Sequence, residues 1–262
     1  MFTVHFLHHS VGLFFMQAPR VYQNQTLIEG SSITLDDNGS RHLGKVLRKS
    51  TGDPVIIFNG TGGEYHGAIQ EINNKNVCVS LDFFNEADRS APLRIHLGQV
   101  MGKGNHMDFA LQKAVELGIS EITPLLSAHC EVRLKGQRLE KKMDQWRHLI
   151  ISACEQCGLN ILPILHPPVS LVQWTESTDS DIKWILHTDD LPSDPFIDNG
   201  GIAKPASISF AVGPEGGFSD DEIEQARTAG FQTITLGPRI WRTETAPIVM
   251  LSLIQMKWGD FL

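Results

Sequence analysis

Short runs of alternating apolar and polar residues mark the first third of the chain. Three of these runs predict strands, at residues 55–58, 64–72 and 76–81. Glycine and asparagine occupy the segments between them and accept the positive φ that tight turns need. Residues 40–48 have helical spacing instead. The pattern predicts a small β-barrel with one helical interruption.

From residue 93 onward, predicted strands alternate with predicted helices. Apolar runs of strand length occupy residues 93–100, 119–126, 161–165, 182–187, 207–213 and 232–236. Apolar residues at helical spacing occupy residues 107–118, 139–158 and 245–258. Ser219 and Glu222 form a capping box that opens a further helix ending near Gly230. The fold class is therefore α/β, with a mainly parallel sheet and helices on both faces.

Polar composition predicts the domain boundaries. Residues 85–92 form a linker between a barrel domain over 16–84 and an α/β domain over 93–262. Residues 1–15 precede Met16, where a domain-like pattern begins, and we expect an unstructured extension there or a misplaced start, with Met16 as the true first residue. Histidines stand where a secretory signal would carry Lys or Arg, so we expect no signal peptide. The segment 188–206 is rich in Pro, Asp and Gly and predicts a surface loop.

Charge and hydrophobicity exclude two classes of protein. The formal net charge of -8 argues against a broadly basic nucleic-acid binder, because phosphate contacts need Lys and Arg. Any RNA site must be a local patch, and basic residues do cluster in 41–49 and 133–142. A solvated helix face is the alternative explanation of each cluster. No apolar run is long enough to span a bilayer, so we expect no membrane protein.

Cysteine usage indicates a reducing compartment. Four cysteines are few for 262 residues and are unevenly placed, which predicts free thiols in the cytoplasm. Cys154 and Cys157 form a C-x-x-C inside a predicted helix, without a second pair, and we interpret them as packing residues. His129 and Cys130 are too isolated for a ligand set. We therefore expect no metal site.

Two glycine-bearing turns join strands to helices in the α/β part. Residues 213–219 (GPEGGFS) lack the Lys of a P-loop and the glycine spacing of a dinucleotide fold, so plain chain reversal is an alternative. Residues 236–246 (LGPRIWRTETA) concentrate Arg239, Arg242 and Glu244, which must pair with one another or face a ligand. Because ligands bind outside the carboxyl ends of parallel strands, the two turns predict one pocket.

Both turns closely resemble those of the ribosomal small-subunit methyltransferase E family, which makes N3-methyluridine in bacterial 16S ribosomal RNA. The resemblance extends to 19–22 (PRVY), 42–48 (HLGKVLR), 112–118 (QKAVELG) and 153–158 (ACEQCG). It implies a PUA-type RNA-binding barrel and a SPOUT domain with a trefoil knot. It also implies S-adenosylmethionine as the cofactor and a homodimer with the site near the interface. Leu159 departs from the family, where an arginine is expected.

The resemblance also implies site residues. Carried over, the cofactor-binding residues are Leu186, His187, Gly213, Glu215, Gly216, Gly217, Leu236, Gly237, Pro238, Ile240, Trp241, Thr243, Thr245 and Ala246. Glu244 is a candidate base for the N3 proton of uracil, and Arg242 a candidate to stabilise charge on its oxygens. A purely structural Arg–Glu pair is the alternative. The RNA-binding candidates are Arg20, His42, Lys45, Arg48 and Lys113, although a helix-surface pair with Glu116 explains Lys113 more readily.

Together these features predict a cytoplasmic enzyme that methylates N3 of a uridine in 16S ribosomal RNA, as free RNA or in the small subunit. Two alternatives remain open. One is a knotted methyltransferase that acts on a ribose 2′-hydroxyl or another base. The other is a non-catalytic RNA-binding or ribosome-assembly protein that keeps the fold.

Overall fold

The computed structural model describes residues 18–73, 76–188 and 204–261. Contacts divide the chain into two compact units, one of Met1–Ser90 with Cys154–Leu162 and one of Ala91–Ala153 with Pro163–Leu262. The expected extension over residues 1–15 lies outside the described residues. So does most of the loop expected over 188–206.

The first unit is built on a mostly antiparallel sheet. Its described elements are β1 (Arg20–Tyr22), β2 (Ser32–Thr34), α1 (Asp37–Arg41), a π-helical turn (His42–Val46), β3 (Pro54–Phe58), β4 (Glu64–Ile72), β5 (Val77–Ser80) and β6 (Phe83–Asn85). The strand order is β1-β3-β4-β5-β2, with β6 beside β4, and only β1 and β3 run parallel among these described pairs. Fully buried aliphatic side chains such as Leu43, Ile57 and Val79 form its core.

The helical interruption in this unit differs from the regular helix predicted over residues 40–48. It begins earlier, because the Asp36 side chain caps the backbone N–H of Gly39. A side chain at Gly39 would collide with Gln23 Nε2, 2.9 Å from an added Cβ. The helix then widens into the π-helical turn, and Arg48 ends it with a φ of +51°. Such a φ is uncommon for a residue with a side chain.

Glu64 anchors the first unit although its side chain is only 2% exposed. The Arg20 guanidinium pairs with it closely, and Arg89 Nη1 and His66 Nε2 lie 3.1 and 3.0 Å from its oxygens. Burial alone would raise the pKa of Glu64, but the hydrogen bonds from His66, Arg89 and Arg20 lower it well below its usual range. A buried carboxylate is therefore held charged by its neighbours.

Arg20, which was predicted to contact RNA, is engaged within the first unit. Its side chain is 11% exposed, and besides Glu64 it donates to Asn160 Oδ1 at 2.6 Å and to the Leu159 carbonyl at 3.2 Å. The guanidinium also lies 4.8 Å from the centre of the Phe58 ring. These contacts link β1 to β4 and to residues 159–160 of the same unit.

The same contacts explain why residues 154–162 differ from the prediction of one continuous C-terminal domain. Asn160 is fully buried, accepts from Arg20 and donates to the Ala87 carbonyl at 2.7 Å. Leu159, where an arginine was expected, is 7% exposed and packs as an apolar residue. The strand predicted over residues 161–165 is shortened accordingly, because Ile161 forms an isolated bridge with Thr61.

The second unit is built on a parallel sheet, as predicted. Its described elements are β7 (Arg94–Val100), α2 (His106–Glu116), β8 (Glu121–Leu126), α3 (Gln137–Cys157, whose last residues fall in the first unit), β9 (Ile164–Leu165), β10 (Val169–Ser170), α4 (Leu171–Ser177), β11 (Ile182–Leu186), β12 (Ser207–Val212), α5 (Asp220–Thr228), β13 (Gln232–Ile234) and α6 (Ala246–Trp258). The strand order is β10-β8-β7-β12-β11-β13, with β9 also beside β8, and every described pair is parallel.

Burial shows how this sheet is covered. All six residues of β12 are buried, which requires cover on both faces at the centre of the sheet. Helix α2 packs on α6, and α4 packs on α5. The capping box of Ser219 and Glu222 opens α5, as predicted. Helix α4 was not predicted, although Ser170 and Gln173 form a second capping box at its start.

Two further predictions concern the whole chain. The free cysteines are confirmed, because Cys78, Cys130, Cys154 and Cys157 form no disulfide. Burial raises the pKa of Cys154 to about 12, which suits a packing residue. No helix in the described ranges is long and apolar enough to cross a membrane.

We predict that Glu64→Gln destabilises the protein by about 3–5 kcal/mol at pH 7, because Arg20 loses its buried counter-charge. The pKa of Glu64 is depressed when folded, so its stabilisation is present above the ordinary value of 4.5 and declines as the pH falls further. Urea unfolding at pH 7 and at acidic pH measures both effects. The stability of the variant should fall less on acidification than that of the parent.

Glu71→Gln is the matched control, because Glu71 is exposed on the same strand. Equal stability of the two variants at pH 7 would contradict the anchoring role of Glu64.

Candidate active site

Four neighbouring strands direct their carboxyl ends at one cavity of the second unit. Strands β7, β12, β11 and β13 are consecutive in the sheet and parallel, so the segments that follow them meet at one edge. The cavity there measures about 470 Å³, which is within the usual range for small-molecule sites. The two predicted turns therefore face a common space.

Most residues that the resemblance assigned to the cofactor line this cavity. They are Leu186, His187, Gly213, Glu215, Gly216, Gly217, Leu236, Gly237, Ile240, Trp241, Thr243 and Ala246. Pro238 and Thr245 do not. Pro238 is exposed at the surface of its turn, and Thr245 is the N-cap residue of α6. Neither residue lines the cavity.

Hydrogen bonds from a neighbouring loop hold the first glycine turn. Nδ1 of His129 donates to the carbonyls of Gly216 and Gly217, at 3.1 and 3.2 Å. Gly217 has a φ of +69°, which favours glycine. Glu222 accepts the backbone N–H of Ala128 at 2.7 Å in addition to its part in the capping box. His129, which we did not predict to act in the site, thus fixes the shape of the turn.

Thr243 ties the second turn to the first. Its side chain is buried, its hydroxyl donates to the Gly213 carbonyl at 2.8 Å, and it accepts from Gln99 Nε2 at 3.1 Å. Gln99 belongs to β7, so one hydroxyl joins three of the strand ends around the cavity. Within the second turn, Trp241 Nε1 donates to the Leu236 carbonyl at 2.8 Å and closes the loop on itself.

The strand end at Leu186 and His187 is joined to the same turn. The backbone N–H of His187 donates to the Ile234 carbonyl at 3.0 Å, and the Thr235 hydroxyl donates to the His187 carbonyl at 2.8 Å. All three segments that the resemblance assigned to the cofactor are therefore linked by hydrogen bonds around one cavity.

Glu244 contacts a partner that the sequence did not reveal. Its Oε2 lies 2.7 Å from Nδ1 of His106, at the start of α2, and both side chains line the cavity. Burial alone would raise the pKa of Glu244, but hydrogen bonds from His106 and from its own backbone N–H, with the charge of Arg242, lower it. A simple Arg242–Glu244 pair is thus not what the structure shows. His106 follows β7, so the rule of strand carboxyl ends could have found it.

The walls suit a ligand that is part apolar and part polar. Leu186, Leu236 and Ile240 supply apolar surface, and Ile240 is 88% exposed at the cavity. A Cβ on Gly217 or Gly237 would meet nothing within 4 Å, so the space beside both positions is open to a ligand. This combination fits S-adenosylmethionine, whose adenine needs apolar contact and whose polar edges need hydrogen bonds.

The remaining RNA candidates divide into two groups. Nζ of Lys113 lies 2.7 and 2.9 Å from the two oxygens of Glu116, which is the helix-surface pair considered for it. His42 is half-buried on the π-helical turn of the first unit. Lys45 and Arg48 are exposed there, and neither has a carboxylate partner among the residues that the structure describes. These two cations remain available for phosphates.

A cluster of three possible metal ligands lies at the opposite edge of the sheet. It consists of His96, Glu121 and His166. His166 Nε2 lies 2.8 Å from Glu121, and His96 Nε2 lies 2.8 Å from the Thr123 hydroxyl. Burial lowers the pKa of His96 to about 4. The cluster lies near the amino ends of β7 and β8, away from the strand ends that surround the cavity.

Family models match both parts of the chain. A model described as an RNA methyltransferase domain matches residues 89–255, and one described as an RNA methyltransferase PUA domain matches residues 35–82. Residues 35–82 fall in the first unit, which is therefore a PUA domain.

Individual relatives and structures agree with these models. Ribosomal RNA small subunit methyltransferase E of Buchnera aphidicola subsp. Schizaphis graminum is 38% identical over 92% of this chain and 97% of its own. A methyltransferase of Legionella pneumophila, solved with SAM bound, is 38% identical with a TM-score of 0.88, over 94% of this chain and 100% of its own. Ribosomal RNA small subunit methyltransferase E of Neisseria gonorrhoeae, bound to S-adenosyl methionine, is 36% identical with a TM-score of 0.85 and the same coverage.

We predict that Thr243→Val weakens the connection between the two turns, because the variant lacks the hydroxyl that hydrogen-bonds to both Gly213 and Gln99. The change leaves the Gly213 carbonyl and Gln99 Nε2 without their shared partner, which should destabilise the protein by about 1–3 kcal/mol. It should also weaken binding of S-adenosylmethionine by roughly 10-fold, equivalent to about 1.4 kcal/mol. Urea unfolding and isothermal titration calorimetry measure the two effects.

Thr228→Val controls for the loss of a threonine hydroxyl, because Thr228 is exposed on α5 away from the cavity. If Thr243→Val had the same stability and the same cofactor affinity as this control, the Thr243 hydroxyl would not organise the site.

Proposed function

The chain belongs to the ribosomal RNA small subunit methyltransferase E family, and from that premise we propose that it methylates N3 of a uridine in 16S ribosomal RNA with S-adenosylmethionine as the methyl donor. The observation that carries the proposal is the single cavity at which Thr243 joins both glycine-bearing turns. The two relatives solved with this cofactor share the fold over nearly the whole chain.

The residues around the cavity would hold the methyl donor by its different parts. The glycine turn at residues 213–217 and the turn around Gly237 offer backbone polar groups, while Leu186, Leu236 and Ile240 offer apolar walls. When bound, S-adenosylmethionine supplies an electrophilic methyl group on a sulfonium. The protein's main task is to hold the uracil nitrogen in line with that methyl, because positioning can supply much of the rate.

Glu244 and Arg242 would act on the uracil. N3 carries a proton at neutral pH, and this proton must leave before or during attack. Glu244 is anionic, because its pKa is lowered, and it can accept the proton directly or hold His106 so that the imidazole accepts it. Arg242 is exposed at the cavity and can stabilise the negative charge that develops on the uracil oxygens.

The PUA domain would hold the RNA through its phosphates. Lys45 is exposed on the π-helical turn that His42 begins, and Arg48 is exposed just after it. Contacts to phosphates position a protein on RNA without reading its sequence. In this proposal Arg20 and Lys113 act through their ion pairs and not on the RNA.

Three further features accompany the proposal. The family resemblance implies a trefoil knot and a homodimer. Exposed apolar side chains such as Phe109 and Met256, on the helices α2 and α6 that pack together, support an interface with a second copy of the chain. Free cysteines suit the cytoplasm, where ribosomes are made.

Nucleoside analysis tests the reaction. Cells that lack this protein should lack one N3-methyluridine in 16S ribosomal RNA, and the purified enzyme with S-adenosylmethionine should restore it. Mass spectrometry of digested RNA distinguishes N3-methyluridine from 2′-O-methylated or other methylated nucleosides. Loss of a different methylated nucleoside would contradict the proposed specificity for N3 of uridine. If no methylated nucleoside changed, the proposal that the protein methylates 16S ribosomal RNA would be contradicted.

We predict that Glu244→Gln slows single-turnover methylation by roughly 10²-fold or more, because a positioned base typically contributes about 10²–10⁴-fold. Affinity for S-adenosylmethionine should stay close to that of the parent. Rapid-quench kinetics with saturating RNA measures the rate, and calorimetry measures the affinity.

Glu224→Gln serves as the control, because Glu224 is an exposed carboxylate on α5 outside the cavity. An unchanged rate in Glu244→Gln, with the cofactor still bound, would remove Glu244 as the proton acceptor.

A further inference from the structure

A second depression of the second unit is lined by basic side chains. It measures about 330 Å³ and lies between residues 101–104, which follow β7, and the first turns of α3. Arg138, Lys141 and Lys142 line it together with the Trp146 indole. We call this depression the basic groove. Its cations belong to the basic cluster at residues 133–142, whereas none of the RNA-binding residues implied by the resemblance lines it.

The floor of the basic groove is fixed by one carboxylate. Asp108 Oδ1 accepts from Lys142 Nζ and from Trp146 Nε1, both at 2.8 Å. Lys142 also lies 5.4 Å from the centre of the Trp146 ring. These contacts hold two lining side chains in place before any ligand arrives.

The rim of the groove carries cations without counter-charges. Arg138 and Lys141 are exposed, and neither has a carboxylate partner in the described part of the chain. Of the nearby acidic residues, Glu131 pairs with Lys103 and Asp144 with Arg147, which leaves the exposed Glu140. In a chain of net charge -8, such a local excess of positive charge is an exception that favours a polyanionic ligand.

The groove adjoins the cavity of the active site. Gly102 lines the groove, and a Cβ added to it would lie 3.8 Å from Glu215 Oε1 and from Thr243 Cγ2, which line the cavity. His106, four residues further on, faces the cavity and contacts Glu244. One short loop therefore separates the cations from the proposed site of methyl transfer.

We propose that the basic groove binds phosphates of the RNA strand beside the nucleotide that is methylated. This proposal rests on the proposed function, because it places the flanking strand of that same substrate. Lys142 and Trp146 form a rigid floor, while Arg138 and Lys141 contact consecutive phosphates from the rim. The contacts set the register of the strand, so that the target base is presented to the cavity across the Gly102 loop.

The test compares two double charge reversals, Arg138→Glu/Lys141→Glu in the groove and Arg147→Glu/Arg227→Glu as the control. The control residues are exposed arginines of the same unit that line neither cavity, and the net charge changes equally. Binding of a 16S ribosomal RNA fragment that contains the methylated uridine is measured by fluorescence anisotropy over a range of salt. Calorimetry measures S-adenosylmethionine binding, and steady-state kinetics separates kcat from KM.

We expect the groove variant to bind RNA at least 10-fold more weakly and to lose about 1.4 in the slope of log affinity against log salt, since each phosphate contact on a single strand contributes about 0.7. KM for RNA should rise, and cofactor affinity should match the control. If the two double variants had equal RNA affinity and equal slope while the parent was active, the groove would not bind the RNA. The proposed function would be unaffected by that result. A parent that neither binds nor methylates the RNA would overturn the proposed function as well.

A third outcome would also overturn the proposal. If the groove variant bound naked RNA normally but bound small ribosomal subunits more weakly, the groove would contact an acidic ribosomal protein and not the RNA strand.

Discussion

The Thr243 hydroxyl joins the parts on which the site depends. Parallel strands bring their carboxyl ends to one edge, but the segments that follow them could still diverge. Because Thr243 donates to the Gly213 carbonyl and accepts from Gln99, the two turns and the end of β7 are held to one geometry. The two turns then line one cavity, and Glu244 and His106 line it with them.

The cationic side chains of the two units have two different roles. The chain is acidic overall, so its cations either stabilise the fold or gather in small patches. Arg20 belongs to the first kind, since it neutralises the buried Glu64. Lys45 and Arg48 on the PUA domain, and Arg138 and Lys141 near the active site, belong to the second. Local patches on an acidic protein allow RNA to be held at chosen points without strong non-specific binding.

Local patterns predicted the parallel sheet and a pocket shared by the two turns, because apolar runs and glycine turns consist of adjacent residues. The family resemblance supplied the individual cavity residues. They could not predict contacts between distant residues. The pairing of Arg20 with Glu64, for example, joins positions 44 residues apart. His106 was missed because it enters the cavity from the start of α2, far in sequence from both turns. Helix α4 was missed although its capping box at Ser170 was readable.

Hydrogen–deuterium exchange with and without S-adenosylmethionine tests most directly whether the two turns form one cofactor site. We predict that amides in residues 213–217 and in residues 236–246 become protected together, over the same range of cofactor concentration. Protection confined to one turn, or no protection at either while calorimetry shows the cofactor bound, would contradict the account.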